Sequence, residues 1–251
     1  MLCLVSLFLS PAIQAKEKIA VGVYEYPPFF ALEEQQSRGV IPDLLRLLNQ
    51  AQDKVEFTLY ITTARRRYKD FQDGKFDMLL FESLDWGWRG YPLDASITFF
   101  TGGEVWVALA SLDRDQRYFT QFEGKRLIGV LGYHYGFAGL DANPDSLRQR
   151  FGMQLVDSQD KVIGLLLQKR ADMGLVANSF INRYLYLHPE LKSTLLISQS
   201  FDQQYQHGAL LRRGAKIEIH WLNGVFTELQ QSQQLQRLWR KHHLLAAHQA
   251  K

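Results

Sequence analysis

Five short clusters in this 251-residue sequence hold side chains able to do chemistry. Tyr26, Phe29 and Phe30 surround Pro27-Pro28. Flat aromatic rings suit an apolar group, or a cation held over a ring face. Phe29 and Phe30 have the plain alternative of core filling, while Tyr26, just ahead of two prolines, is less suited to it. Arg65-Arg66-Arg67 is a short basic run. Such runs are usually solvated, so it reads as an exposed helix start, with Arg66 kept as a candidate ligand contact. Glu82 and Ser83 open the stretch ESLDWGWRG, which ends on Arg89 and Gly90. The Arg89 guanidinium offers paired donors to a carboxylate and stays charged at any working pH. Glu82 would either face a cationic ligand group or form a structural pair with Arg66 or Arg89. Ser83 offers a hydroxyl. Gly132-Tyr133-His134-Tyr135-Gly136 is a glycine-bounded turn, and the backbone N–H groups of such a turn can face an anion. Asn178 can accept a hydrogen bond but brings no charge.

Other chemistries lack their signatures. The sequence holds no H-E-x-x-H, P-loop, G-x-G-x-x-G or G-x-S-x-G pattern, so no metal or cofactor is expected. His242-His243 ends the last helical segment, where it suits the helix dipole better than a metal. With 46% hydrophobic and 22% charged residues, a packed globular core is expected and disorder is not. A net charge of +3 is too balanced to argue for nucleic acid. Residues 1–15 read as a secretory signal whose apolar run is shorter than the roughly 20 residues of a membrane span. Cleavage after Ala15 would remove Cys3, the one cysteine. The expected product is a soluble, monomeric periplasmic protein.

The elements that position these clusters follow from periodicity. Residues 18–24 alternate as a strand that Pro27-Pro28 ends. Residues 41–52 carry apolar positions at helical spacing, 55–61 form a strand, and 66–72 form a helix closed by Gly74. The run 76–81 is almost wholly apolar, as in a buried parallel strand. The pattern β-α-β-α-β then recurs: strands at 126–131, 154–156, 173–177 and 195–198, and helices from 147, 160 and 178. Residues 217–243 read as one long helix. FQDGKFDMLLF (71–81) and LLQKRADMGLV (166–176) echo each other, which implies two similar α/β lobes. The expected division is lobe 1 over 16–108, lobe 2 over 109–204 and a return to lobe 1 over 205–251. The connections are expected at 99–109 and 205–211. Ligands of such lobes lie off the carboxyl ends of the strands, and two facing lobes can shut by hinge motion.

VYEYPPF, GVIPDLLRLL, FEGKRLIGVLGYHYG, LLLQKRADMGLV and LNGVFTELQQ occur in that order across nearly the whole mature chain. On these pieces the sequence resembles the polar amino-acid-binding periplasmic proteins, the extracellular solute-binding family 3. The resemblance implies a type II periplasmic-binding-protein-like fold, in which each lobe is a central sheet flanked by helices and two hinge connections join the lobes. It implies that Arg89, twelve residues beyond Asp77, forks onto a ligand carboxylate. Ser83 and the 132–136 turn would touch the same ligand. One departure stands out. Relatives usually carry an Asp that pairs with the ligand ammonium where this chain has Ala177, followed by Asn178. Either Glu82 supplies that charge or the ligand is not a standard α-amino acid.

The expected function is capture of a small polar, carboxylate-bearing, amino-acid-like ligand for an ABC importer, without covalent chemistry. The alternative on the same fold is a ligand-sensing module for a signalling receptor. A periplasmic dehydratase, drafting Glu82 or His134 as its acid, is the third reading.

Overall fold

The computed structural model describes residues 16–244. The secretory signal, its cleavage site and Cys3 lie outside the described residues. In β1 (Glu17–Val23) the period-two residues Ile19, Val21 and Val23 are buried, and the polar residues before them are exposed. A loop leads through a short hairpin, β2 (Ala31–Glu33) with β3 (Gln36–Arg38), into α1 (Val40–Ala51). Val40, Ile41, Leu44, Leu45 and Leu48 make the buried stripe of α1. Then follow β4 (Val55–Ile61), α2 (Arg67–Gln72), β5 (Met78–Glu82), β6 (Leu93–Ala95) and β7 (Phe100–Leu109). Next come β8 (Leu127–Val130), α3 (Pro144–Phe151), β9 (Gln154–Val156), α4 (Gln159–Leu167), β10 (Met173–Ala177) and α5 (Asn178–Leu187). The chain ends in β11 (Leu195–Arg212), α6 (Ile219–Gln231) and α7 (Gln234–Lys241).

The strands follow the order β4-β1-β5-β11-β7-β10-β8-β9, with β6 also on β11. In one lobe β1 runs parallel to both β4 and β5, and β11 closes antiparallel on β5 and β6. In the other, β10, β8 and β9 are parallel and β7 lies antiparallel to β10. The architecture is the two-lobed α/β fold expected from the sequence. The two connections between lobes are themselves strands, β7 and β11, paired antiparallel from Leu195↔Leu109 to His207↔Phe100.

Three expectations are corrected. The strand expected at 195–198 runs on to Arg212. Residues 199–204 are mostly exposed or half-buried, so no apolar alternation marks them, and pairing to β7 holds them extended instead. The 76–81 run is parallel only toward β1 and antiparallel toward β11. The long terminal helix is two helices, because Gln233 is left-handed, with φ 58°. No glycine or proline announces that break. The polar stretch QQSQQ has nothing to bury, and the turn lets Leu235, Leu238 and Trp239 pack inward.

The ladder between β7 and β11 slips around Phe201. Here β7 carries Gly102-Gly103. A Cβ on Gly103 would come within 2.3 Å of the Phe201 ring and 2.6 Å of the Gln203 carbonyl oxygen. The pair is needed for this close approach rather than for any unusual φ.

Where β5 and β11 meet, the Phe29, Phe81 and Phe100 rings enclose His207, with centroids 5.5, 5.8 and 6.0 Å away. His207 is fully buried, and neither ring nitrogen has a partner. Burial holds its pKa down to about 3, so it stays neutral. Unpartnered buried polar atoms cost about 1–3 kcal/mol. His207→Phe is therefore expected to raise the unfolding free energy by about 1–2 kcal/mol in urea melts at pH 7. Because the depressed pKa costs stability as pH falls below 6.5 toward 3, the variant's advantage should widen in acid. An unchanged or lower midpoint would mean that the imidazole makes a contact worth keeping.

Candidate functional site

The loops after β1, β5 and β8 leave the carboxyl ends of their strands and meet between the lobes. Around their junction Tyr24, Tyr26, Arg67, Trp86, Glu104, Gly132, Tyr133 and His134 line a cavity of about 10 Å³. A space of that size holds roughly one water molecule. Tyr26 packs edge-on against Tyr133 and Trp86, at 5.4 and 6.3 Å between centroids.

Arg67 begins α2 and forms the floor. Its guanidinium is 3.0 Å from Glu82 through Nε, and the atoms are out of line for a hydrogen bond. It lies over the Tyr24 and Tyr68 rings at 4.8 and 4.4 Å. Glu82 also accepts from the Tyr24 hydroxyl at 2.8 Å and from Trp88 Nε1 at 2.7 Å. Burial pushes the Glu82 carboxyl up, and Arg67 with these donors pulls it back. For Arg67 burial works against the charge, but Glu82 and the surrounding tyrosines outweigh it. Glu82 is turned inward by its neighbour: Phe81 is skipped in the ladder between Ala209↔Leu80 and Gly208↔Glu82 and has φ 57°. A bulge of this kind re-aims side chains.

The glycine-bounded turn does bind an anion, and the anion is the protein's own. Asp202, on β11, accepts from the backbone N–H of Gly136 at 2.6 Å and of Phe137 at 3.0 Å. Burial raises its carboxyl, and the two N–H groups oppose that.

Glu104 is different. It is 2% exposed and its Oε2 has no hydrogen-bond partner. Burial, and after it the charge of Asp202, pushes its carboxyl up to about 8. Its ladder partner is Ala177.

Direct contacts bridge the lobes. Gln159 donates to the Pro27 carbonyl at 2.9 Å and accepts from Ala177 N at 2.7 Å. Tyr133 donates to the Glu25 carbonyl at 3.4 Å, and Trp86 Nε1 donates to Gln203 at 3.3 Å. His134 Nδ1 faces the Leu140 carbonyl at 2.8 Å, so it carries the proton, and Nε2 accepts from the Tyr68 hydroxyl at 2.9 Å. Tyr68 shares that one proton with the Trp86 carbonyl. Burial holds His134 neutral, with a pKa of about 4.

Of the residues singled out from sequence, Tyr26, Tyr133 and His134 line the cavity, and Glu82 stands behind Arg67. Phe29 is core, against Phe81 at 4.3 Å. Tyr135 is core too, its hydroxyl tied to Val130 N and O. Asn178 accepts from Gly103 N at 3.2 Å and so steadies β7. Ser83 accepts from Asp85 N at 3.3 Å, in a separate groove. Arg89 does not reach the cavity: it is exposed and paired with Asp85. Arg66 is likewise exposed, near Asp70. The arginine of this site is Arg67, which corrects the reading of the triple-arginine run as solvated throughout and gives Glu82 its partner. Arg67 and Phe71 share the inward face of α2, a one-turn signal the basic run obscures. Glu104 was legible in principle as the lone charge in the apolar run GGEVWVALA.

No protein-family model and no curated protein matches the chain. Solved structures do. A putative binding component of an ABC transporter from Wolinella succinogenes, complexed with lysine, has a TM-score of 0.70 at 15% identity, covering 92% of this chain and 97% of that one. The GluR0 ligand-binding core from Nostoc punctiforme, in complex with L-glutamate, has a TM-score of 0.68 at 18% identity, covering 90% and 98%. The ancestral amino acid-binding protein AncCDT-1, a precursor of cyclohexadienyl dehydratase, has a TM-score of 0.69 at 16% identity, covering 90% and 95%. The fold is that of the two-lobed type II periplasmic binding proteins. No helix of the described residues is long and apolar enough to cross a membrane.

Two stability measurements test the electrostatics. Arg67→Met alone strands Glu82 and should cost about 3–5 kcal/mol, most of it recovered when Glu82→Leu is added. Equal losses in both variants would deny the pair this role. Glu104 titrates near 4.5 when unfolded and near 8 when folded. Its contribution is therefore intact below 4.5 and is lost as pH rises to 8, by up to about 1.4 kcal/mol per pH unit. Thermal melts of Glu104→Gln should lack this fall across pH 5–8; a matching fall in the variant would assign it to another group.

Proposed function

We propose that this chain is an exported, monomeric solute-binding protein of the periplasm, whose lobes close on a small polar, amino-acid-like ligand and present it to an ABC importer. The observation that carries the reading is the position of the cavity. It lies between the lobes, off the carboxyl ends of strands from both, and two paired strands connect the lobes beside it. That is where open α/β sheets hold ligands and where hinge closure buries them. The lysine and L-glutamate complexes named for two fold relatives agree with it.

The lobes are joined by the protein's own hydrogen bonds, Gln159 to Pro27 and Tyr68 to His134 among them. A ligand enters only after these bonds open. This favours a second reading, in which the closed pair of lobes is the signal and a receptor reads its opening. A dehydratase would use the proton of Glu104 as a general acid. Of the acids drafted from sequence, His134 has both nitrogens engaged and Glu82 is paired with Arg67, so binding is the reading we adopt.

A thermal-shift screen of the mature protein against amino acids, polyamines and small organic acids tests it. A ligand at 100 times its Kd should stabilise the protein by about 2.7 kcal/mol. Trp86→Ala, which removes one wall, should abolish that shift while the variant keeps a cooperative melt. A flat screen would count against solute capture, and a shift that survives in Trp86→Ala would move the site elsewhere.

A further inference from the structure

The site's charges are unequal in one respect. Arg67 faces Glu82, and the N–H pair of Gly136 and Phe137 faces Asp202. Every group there that could receive a ligand carboxylate is already matched to a carboxylate of the protein. His134 is neutral with both nitrogens used. A ligand carboxylate would have to displace Glu82 or Asp202 and leave it buried and unpaired, which is costly. Two polar atoms of the lining have no hydrogen-bond partner: Arg67 Nε, whose charge Glu82 matches from 3.0 Å away, and Glu104 Oε2, a fully buried carboxylate oxygen with no cation of the protein beside it. Across the ladder sits Ala177, also fully buried, whose small side chain leaves Glu104 unobstructed. Apart from Arg67, which Glu82 neutralises, Gly132 and the neutral His134, the walls are the rings of Tyr24, Tyr26, Trp86 and Tyr133, whose π faces attract cations.

We propose that the ligand of this site is a small organic cation, an amine or methylated ammonium without a free carboxylate, and that Glu104 is its counter-charge. The inference rests on the solute-binding reading and departs from its amino-acid-like ligand in one respect, the absence of a carboxylate. It also explains how a cleft with Ala177 in place of an acid can hold an ammonium: the carboxylate comes from the neighbouring strand. Glu104 directly follows Gly102-Gly103, where β7 passes the slip in β11. Binding drives the proton off Glu104, so affinity rises with pH up to about 8. The groups facing Glu104 are Asp202 on β11 and the hydroxyls of Tyr26, Tyr133, Tyr135 and Tyr205. Burial pushes those hydroxyls well above 10, so they stay neutral through this range.

Isothermal titration of the mature protein with matched pairs tests the proposal: cadaverine against lysine, agmatine against arginine, choline against glycine betaine. The carboxylate-free member of at least one pair should bind at least tenfold more tightly than its partner. Its affinity should fall at least thirtyfold in Glu104→Gln and should be weaker at pH 6.5 than at pH 8. Tighter binding of the carboxylated members, or binding that Glu104→Gln leaves intact, overturns the cation assignment and leaves solute binding standing. Silence from all six probes, together with a flat solute screen, overturns both.

Discussion

A carboxylate taken out of water must meet donors or keep its proton, and at the junction of its lobes this protein buries two of them, Glu82 and Glu104, and half-buries a third, Asp202. Glu82 meets a guanidinium, a tyrosine and a tryptophan. Asp202 meets two backbone N–H groups. These two arrangements set much of the surrounding structure. The first ties the start of α2 to the end of β5 and stacks Tyr24 and Tyr68 on Arg67. The second seats the turn after β8 on β11, close enough that a Cβ on Gly136 would come within 2.1 Å of the Asp202 carbonyl oxygen. Glu104 Oε2 meets no donor, and the low-dielectric surroundings that keep the carboxyl protonated are built by Tyr26, Tyr133, Tyr135 and Tyr205.

The two-lobed architecture was legible because each lobe is made of local units with strong periodicity. Alternation in 18–24, the helical spacing of 41–52 and the largely apolar runs at 76–81 and 173–177 each declare themselves over a few residues. What escaped lacks a local cause. Residues 199–204 are a strand only because β7 lies beside them, and the break at Gln233 serves packing against a distant helix. The site was half legible for the same reason. Aromatic residues beside prolines and glycines mark their loops, so Tyr26, Tyr133 and His134 stood out. Whether Arg66 or Arg67 turns inward depends on a fraction of a helical turn and on where Glu82 waits, and spacing inherited from a resemblance pointed instead to Arg89, which is exposed. An exposed arginine is satisfied by Asp85, whereas a buried one needs the whole shell of Glu82, Tyr24 and Tyr68.

The order of the strands carries a consequence for how the chain reaches this state. Everything from β7 through the first half of β11 is contiguous in sequence, so the second lobe can assemble from its own segment. The first lobe cannot: β5 must wait for Gly208–Leu211, some 130 residues downstream, to cover its open edge. Until then that edge exposes unpaired backbone groups on a strand apolar from Met78 to Phe81, the kind of template on which chains aggregate. In a chain synthesised from its N-terminus, the first lobe to begin is thus the last to finish, and the interval during which β5 stands uncovered is set by the length of the lobe inserted after it.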